Sequence, residues 1–364
     1  MTKRIGLLTL PLNSNFGGII QALSLSEAMR KMGYEVVLLD RRRPIARWQR
    51  LVLPLLAILP FQNIRGFRGM ERARRFHRAI IDRHFDGRSA VLRSSEDMRV
   101  AAAAEKLDAV VVGSDQVWRM SYLHPQAVRD FFLGFLPKNG PRRVSYAASF
   151  GVGTWQNPER TTEISRLLHH FDAVSVREQS GVEICRETFG RDDAVHVLDP
   201  TLLVDTAFHH VLADSTTPPE RSPNKRGALF YMLDAPKIQK AALSALGDEY
   251  EAMSLSLSDS ASISVPQWLS AFKSADFVIT DSYHGTIFAI IFRKPFLSII
   301  NHSRGAERFT SLLSKIGLDH RLLSDDCTGQ LVELIAQPID YDAVHEKLSS
   351  QRDMSVAFLK QALE

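Results

Sequence analysis

Short runs of continuously apolar residues recur along the chain, separated by longer stretches with helical spacing. RIGLLTL (4–10), EVVLLD (35–40), DAVVVGS (108–114), RVSYAASFG (143–151), AVSVRE (173–178) and AVHVLDPTLL (194–203) show little alternation of apolar and polar positions. Strands of that kind are covered on both faces, as in a parallel sheet. GGIIQALSLSEAMRKMG (17–33) reads as a helix following the first strand, with Gly33 as its stop signal. The stretch 214–226, rich in Pro, Ser, Thr and charge, predicts an interdomain linker. Beyond it the rhythm restarts with GALFYML (227–233), a helix, ADFVITDS (275–282), another helix and PFLSII (295–300). The expectation is α/β throughout. One domain spans 1–213 with a helical insert at about 41–90, a second spans 227–340, and a terminal helix spans 341–364.

Composition adds little to this outline, and charge adds one feature. The 364 residues are 45% hydrophobic and 24% charged, ordinary values for a globular protein. Cys185 and Cys327 are the two cysteines, too few for a disulfide framework or a thiolate metal site. They favour a reducing compartment. The opening MTKRIGLLTLPLN resembles a secretion signal, but its apolar run is short and interrupted by Pro11, so it reads as a first strand. Between Arg41 and Arg83 stand twelve arginines against Glu71 and Asp82, a net of +10 in a chain of net +4. Arginines flanking the apolar run LVLPLLAILPF (51–61) suit a helix lying on an anionic membrane surface. The same pattern suits a basic helix packed on its own domain, or a contact between copies. No recognition-helix or aromatic RNA signature accompanies it, so nucleic acid is not an expected partner.

Candidate chemistry gathers where predicted strands meet predicted helices, the edge at which open α/β sheets hold ligands. NSNFGGIIQ opens the first helix; Asn15, Gly17 and Gly18 would let backbone approach a ligand near free N–H groups. The spacing is not G-x-G-x-x-G, which disfavours a dinucleotide. Ser114, Asp115 and Gln116 lie at the carboxyl end of the strand at 108–114, and Asp115 is suited to accept a hydroxyl proton or to cap a helix. Arg177 ends the strand at 173–178, with the forked geometry that carboxylate and phosphate prefer. In TDSYHGTIFAIIFRKPF (280–296), His284 stands at a strand-to-helix junction, and Arg304 and Arg308 follow the next strand. An imidazole with several guanidiniums suits an acidic, phosphorylated substrate. No histidine and carboxylate spacing suggests a metal, and no G-x-S-x-G elbow occurs.

In this order, NFGGIIQA, DAVVVGSDQVW, SYAASFG, SVRE, VLDPTLL, ITDSYHGTIFAIIFRKPF and RGAERFTSLLSKIGL resemble the polysaccharide pyruvyl transferase family, from about residue 5 to about residue 325. The resemblance implies a GT-B-like pair of Rossmann-like domains with a cleft between them. It implies phosphoenolpyruvate as co-substrate, no cofactor or metal, and a glycan acceptor, lipid-linked or free, that receives a pyruvate ketal in surface or exported polysaccharide. It matches His284 to the family's essential histidine, Arg177 to the arginine after the first domain's strand and Arg304 to the place of a basic donor-binding residue; Arg177 and Arg304 are both expected on the donor side. Many relatives carry arginine two residues before that histidine, where this chain has Ser282; Ser282 and Arg308 are still expected on the donor side, and Arg308 or Arg293 are candidates to replace the charge. Asp115 is the second catalytic candidate, and Asn15, Gly17, Gly18, Ser114 and Gln116 are the expected acceptor side. The expected location is the cytoplasm, with peripheral contact on the inner membrane face through 41–83. A nucleotide-sugar glycosyltransferase of the same fold and a non-catalytic glycan-assembly protein are the alternatives.

Overall fold

In a computed structural model of the protein, the described residues are 2–13, 15–45, 65–234, 238–300, 305–324 and 329–364, with side chains described at all of them except 65–71, 74 and 261. The chain divides into two compact units. One comprises Met1–Leu203 with Met354–Glu364, the other Val204–Asp353.

The first unit is built on a seven-stranded sheet of order β3-β2-β1-β4-β5-β6-β7, parallel throughout. Its strands are β1 (Arg4–Leu8), β2 (Glu35–Leu38), β3 (Gly87–Arg88), β4 (Ala109–Gly113), β5 (Arg142–Ala148), β6 (Ala173–Val176) and β7 (Val195–His196). The first six follow the doubly wound order whose direction reverses between β1 and β4. Central β4 is buried at every position, and so is β1 from Ile5 onward, as their continuous apolar runs require. Helix α1 (Phe16–Lys31) is buried at every residue from Phe16 to Ser26, and the chain turns out of it at Gly33 with φ of 90°.

The stretch 194–203 departs from the strand expected there. Only Val195–His196 pairs, and Pro200–Leu203 forms a helical turn. The Asp199 carboxylate accepts the Thr201 N–H at 3.1 Å, and Pro200 has the φ and the missing donor that suit a first helical residue.

The basic segment behaves partly as a local packing element. Helix α2 (Arg65–Arg83) buries Ala73, His77 and Ile81, and His77 meets the Phe16 ring edge-on at 5.6 Å. Arg72, Arg75 and Arg78 face outward. Arg41, expected among the membrane-facing cations, is instead buried and paired to buried Asp130 at 2.7 Å. A buried guanidinium needs such a partner, so Arg41 serves the core. The apolar run 51–61 lies outside the described residues. Among the described residues no helix is long and apolar enough to cross a membrane.

The second unit opens with α3 (Thr206–Asp214), capped by the Asp205 side chain, so the stretch 214–226 lies inside this unit. Its sheet, also parallel throughout, has the order β9-β8-β10-β11-β12. The strands are β8 (Arg226–Tyr231), β9 (Tyr250–Leu255), β10 (Phe277–Thr280), β11 (Phe296–Ile299) and β12 (Leu322–Leu323). That is the five-stranded order in which direction reverses between the first and third strands, here β8 and β10. Helices α4 (Val265–Ser274), α5 (Tyr283–Ile291) and α6 (Glu307–Ile316) follow in the chain. Trp268 and Phe272 of α4 and Phe288 of α5 form an aromatic cluster with Tyr231. The last helix, α7 (Tyr341–Leu363), is continuous across the division at Met354.

Candidate active site

Both switch points carry the residues that the sequence singled out. In the first unit, the Gly113–Ser114 peptide is cis and Asp115 has φ of 68°. A hypothetical Cβ on Gly113 would stand 2.0 Å from the Tyr146 carbonyl oxygen, so only glycine lets the two strand ends approach this closely. Ser114 donates its hydroxyl to the Gln21 side-chain oxygen at 2.5 Å, tying the strand end to α1. Arg177 is fully buried. It pairs with Asp199 at 2.8 Å and faces Asp115 at 3.6 Å, with Gln21 Oε1 3.4 Å from its Nη1. Thr201 donates both its N–H and its hydroxyl to Asp199, the latter at 2.7 Å. Burial pushes the neighbouring Tyr146 phenol well above its ordinary value, and the charge of Asp199 adds to the effect.

One guanidinium therefore faces two carboxylates. The expectation for Arg177 was an open cation that would receive an anionic donor. Its place in the structure is different, because its charge is offset within the first unit. Asp199 and Gln21, which complete the cluster, were not singled out in the sequence. Gln21 alone carried a signal, a polar residue inside the continuously buried face of α1. Its side-chain N–H group is buried with no hydrogen-bond partner among the described residues. The remaining residues expected here are local in their contacts. Gln116 accepts from Arg119 at 2.7 Å. Asn15 precedes α1, Gly17 and Gly18 lie buried in its first turn, and a methyl on Gly18 would meet the Asn15 side chain at 3.2 Å.

In the second unit, the Asp281 carboxylate accepts N–H bonds from Leu233 at 2.6 Å and Asp234 at 3.0 Å. It thereby joins the carboxyl ends of β8 and β10. Ser282 is the N-cap of α5. Its hydroxyl oxygen accepts the Gly285 N–H at 3.3 Å, and its carbonyl accepts the Thr286 N–H at 2.9 Å. A capping serine stabilises the helix start that carries the histidine, a different task from the donor contact expected of it.

His284 falls in the first turn of α5 and is 5% exposed. Its ring meets Tyr283 at 5.5 Å, and the Arg308 guanidinium stands over the other partner of that contact, 5.0 Å from the Tyr283 ring centroid. Tyr283 thus brings Arg308 and His284 into one group. Arg304 lies outside the described residues. Arg293 does not replace the family's arginine at the 282 position. It follows the far end of α5, about 14 Å from the first turn at 1.5 Å per residue, and pairs with Asp342 at 2.8 Å. Among the described residues no group of three His, Cys, Asp or Glu is arranged to hold a metal.

Gly285, next to His284, is required by the packing of this junction. A Cβ there would stand 2.3 Å from Thr280 Oγ1. That hydroxyl is committed, donating to the Tyr231 carbonyl at 2.6 Å and accepting the Ser282 N–H at 3.1 Å. Alanine is the better helix former by about 1 kcal/mol. Gly285→Ala is nevertheless expected to lower stability by about 1–3 kcal/mol, the usual cost of overpacking. A shifted urea midpoint with an unchanged slope would show it, and an unchanged or raised midpoint would contradict the close approach.

The sequence profile described as polysaccharide pyruvyl transferase matches residues 15–303. The chain belongs to the polysaccharide pyruvyl transferase family. The match spans both switch points, so His284, Arg177 and Asp115 all fall within the family region. No curated protein matches the chain. Among solved structures, it is similar to a putative UDP-N-acetylglucosamine 2-epimerase from Listeria monocytogenes, at 12% identity, with 100% of this chain and 97% of that one covered and a TM-score of 0.51. It is also similar to UGT89C1 from Arabidopsis thaliana solved with quercetin, at 11% identity, with both chains covered completely and a TM-score of 0.50. These likenesses support the GT-B-like fold of two Rossmann-like units.

Proposed function

We propose that this pyruvyl transferase takes its three-carbon unit from phosphoenolpyruvate and sets it as a ketal on two hydroxyls of a glycan, in the making of a surface or exported polysaccharide. The observation that carries the proposal is the His284–Tyr283–Arg308 group at the β8/β10 switch point of a family member. Phosphoenolpyruvate brings a carboxylate and a phosphate. Arg308 and the positive end of the α5 dipole supply positive potential, while His284 supplies a proton.

The reaction balances without an oxidant. The methylene carbon gains a proton, which leaves C2 electrophilic. One acceptor hydroxyl adds at C2 and loses its proton, phosphate departs, and the second hydroxyl closes the ketal, its proton passing to the released phosphate. We assign His284 to proton delivery on the donor. Asp115 is the base for the acceptor, held in place by Arg177. The two carboxylates around Arg177 make that corner a poor seat for an anion and a suitable one for a neutral hydroxyl. The exposed arginines of α2 favour contact with an anionic membrane from the cytoplasmic side.

The decisive experiment incubates the enzyme with phosphoenolpyruvate and a panel of glycans. Phosphate release is followed alongside the glycan mass, which should rise by pyruvate less one water. Sugar transfer from a nucleotide sugar, with phosphoenolpyruvate inert across the panel, would overturn the proposal in favour of a glycosyltransferase.

A further inference from the structure

A cavity of about 370 Å³ opens in the first unit, between the loop that follows β4 and the loop that follows β5. It belongs to neither group described above. Its inner wall includes the buried rings of Trp118 and Phe150, which pack at 5.1 Å. Arg119, Met120, Trp155, Gln156, Asn157 and Arg160 line it further out. Trp155 is half-buried and held by its neighbours. Its indole N–H donates to Thr161 at 3.0 Å, and its ring meets Phe189 edge-on at 5.0 Å. The Phe150 loop is fixed from below by buried Glu178, which accepts the Ser149 hydroxyl at 2.7 Å and the Gly151 N–H at 3.1 Å.

We infer that this cavity seats a sugar ring of the acceptor, with the ring's C–H face against Trp155 and its hydroxyls toward Arg119, Gln156 and Asn157. The inference rests on the glycan acceptor proposed above. Several observations favour a pyranose over other occupants. The volume lies in the lower part of the range of ~300–1,000 Å³ typical of small-ligand pockets. The lining combines an aromatic, apolar wall with a few amides and guanidiniums, which matches a ring that is apolar on its face and polar at its edge. Of the two cations in the lining, Arg160 is paired with Glu163 at 3.3 Å, and Arg119 is fixed by Gln116 at 2.7 Å and lies over Tyr122 at 4.7 Å. Arg119 keeps its charge but is held in one orientation, a single donor group that is too little for a polyanion and enough for a neutral hydroxylated ring. The chain also connects the cavity to the proposed base, because Arg119 is held by Gln116, the residue after Asp115.

Two variants test the cavity. Trp155→Ala removes the stacking surface, and Met120→Trp fills the space. The probes are methyl glycosides of glucose, galactose and mannose and their 2-acetamido analogues, observed by saturation-transfer NMR on the full-length protein without phosphoenolpyruvate. Binding of at least one glycoside is expected, with saturation strongest on the ring C–H protons. Affinity should fall about tenfold in both variants, from lost stacking in one and lost space in the other; Trp155→Ala also gives up its contacts with Thr161 and Phe189 and should melt lower, whereas Met120→Trp leaves those contacts in place and separates a loss of binding from a loss of stability. In turnover assays the same variants should raise the acceptor KM about tenfold and leave the phosphoenolpyruvate KM within about twofold. Equal saturation in wild type and both variants, or none in wild type, would overturn the cavity. If sugars bind here but no pyruvyl transfer is found, the donor chemistry fails and the cavity stands. If transfer proceeds with an unchanged acceptor KM in both variants, the cavity fails and the donor chemistry stands.

Discussion

Replacing His284 by alanine is expected to lower pyruvyl transfer by about 10²–10⁴-fold, the usual contribution of a positioned acid or base. The loss should fall on kcat, because the ring is assigned to a proton transfer and the anion-binding groups are left in place. The fold should survive. Ser282 caps α5, Thr286 bonds Ser298 at 2.6 Å, and the aromatic cluster around Phe288 anchors the helix, all without the imidazole. Far-ultraviolet circular dichroism and the melting temperature provide that control. His284→Gln keeps a polar group of similar reach but has no ionisable proton to transfer, so it should be as inactive as alanine. A variant that releases phosphate at the wild-type rate would remove His284 from the chemistry. A rise in the phosphoenolpyruvate KM at constant kcat would make it a binding residue only.

The position of His284 was legible in the sequence because a local pattern determines it. An apolar strand, two capping-type residues and an apolar helix leave one place for a junction, and parallel sheets open their ligand edge at such junctions. The same logic located Ser114–Gln116 and Arg177. Partners across the sheet were not legible. Nothing in SVRE says that its arginine faces Asp199, because that contact depends on β6 and the 199–201 turn meeting beside α1. Arg41 looked like a membrane-facing cation because its sequence neighbours are cations, while the residue that decides its fate, Asp130, lies 89 positions away. Strand β9 also escaped notice. At the sheet edge, with a burial pattern alternating toward solvent, YEAMSL lacks the apolar run that marks the central strands. Tyr283 was read past as a neighbour of the histidine, and its role follows from Arg308 reaching back from α6.

The second large effect concerns Arg177. Arg177→Met should destabilise the protein by about 3–5 kcal/mol, because it strands the Asp199 and Asp115 carboxylates in a buried site without their cation. Arg177→Lys should recover only part of the loss. A single ammonium cannot reproduce the fork that spans Asp199 at 2.8 Å and Asp115 at 3.6 Å. If the pairing is the cause, Asp199→Asn in the Arg177→Met background should cost less than in the wild type. The coupling between the two changes should fall in the range of 0.5–3 kcal/mol typical of contacting residues. Urea unfolding of the four proteins in the cycle measures it. Additive losses would mean that Arg177 and Asp199 do not act as a pair. Kinetics on the lysine variant separate the two roles considered for the arginine. A residue that holds the Asp115 base should alter kcat and the acceptor response, whereas a donor-binding residue should raise the phosphoenolpyruvate KM. The burial of the guanidinium and its two carboxylate neighbours favour the first outcome, since a cation already offset by fixed anions has little attraction left for a third.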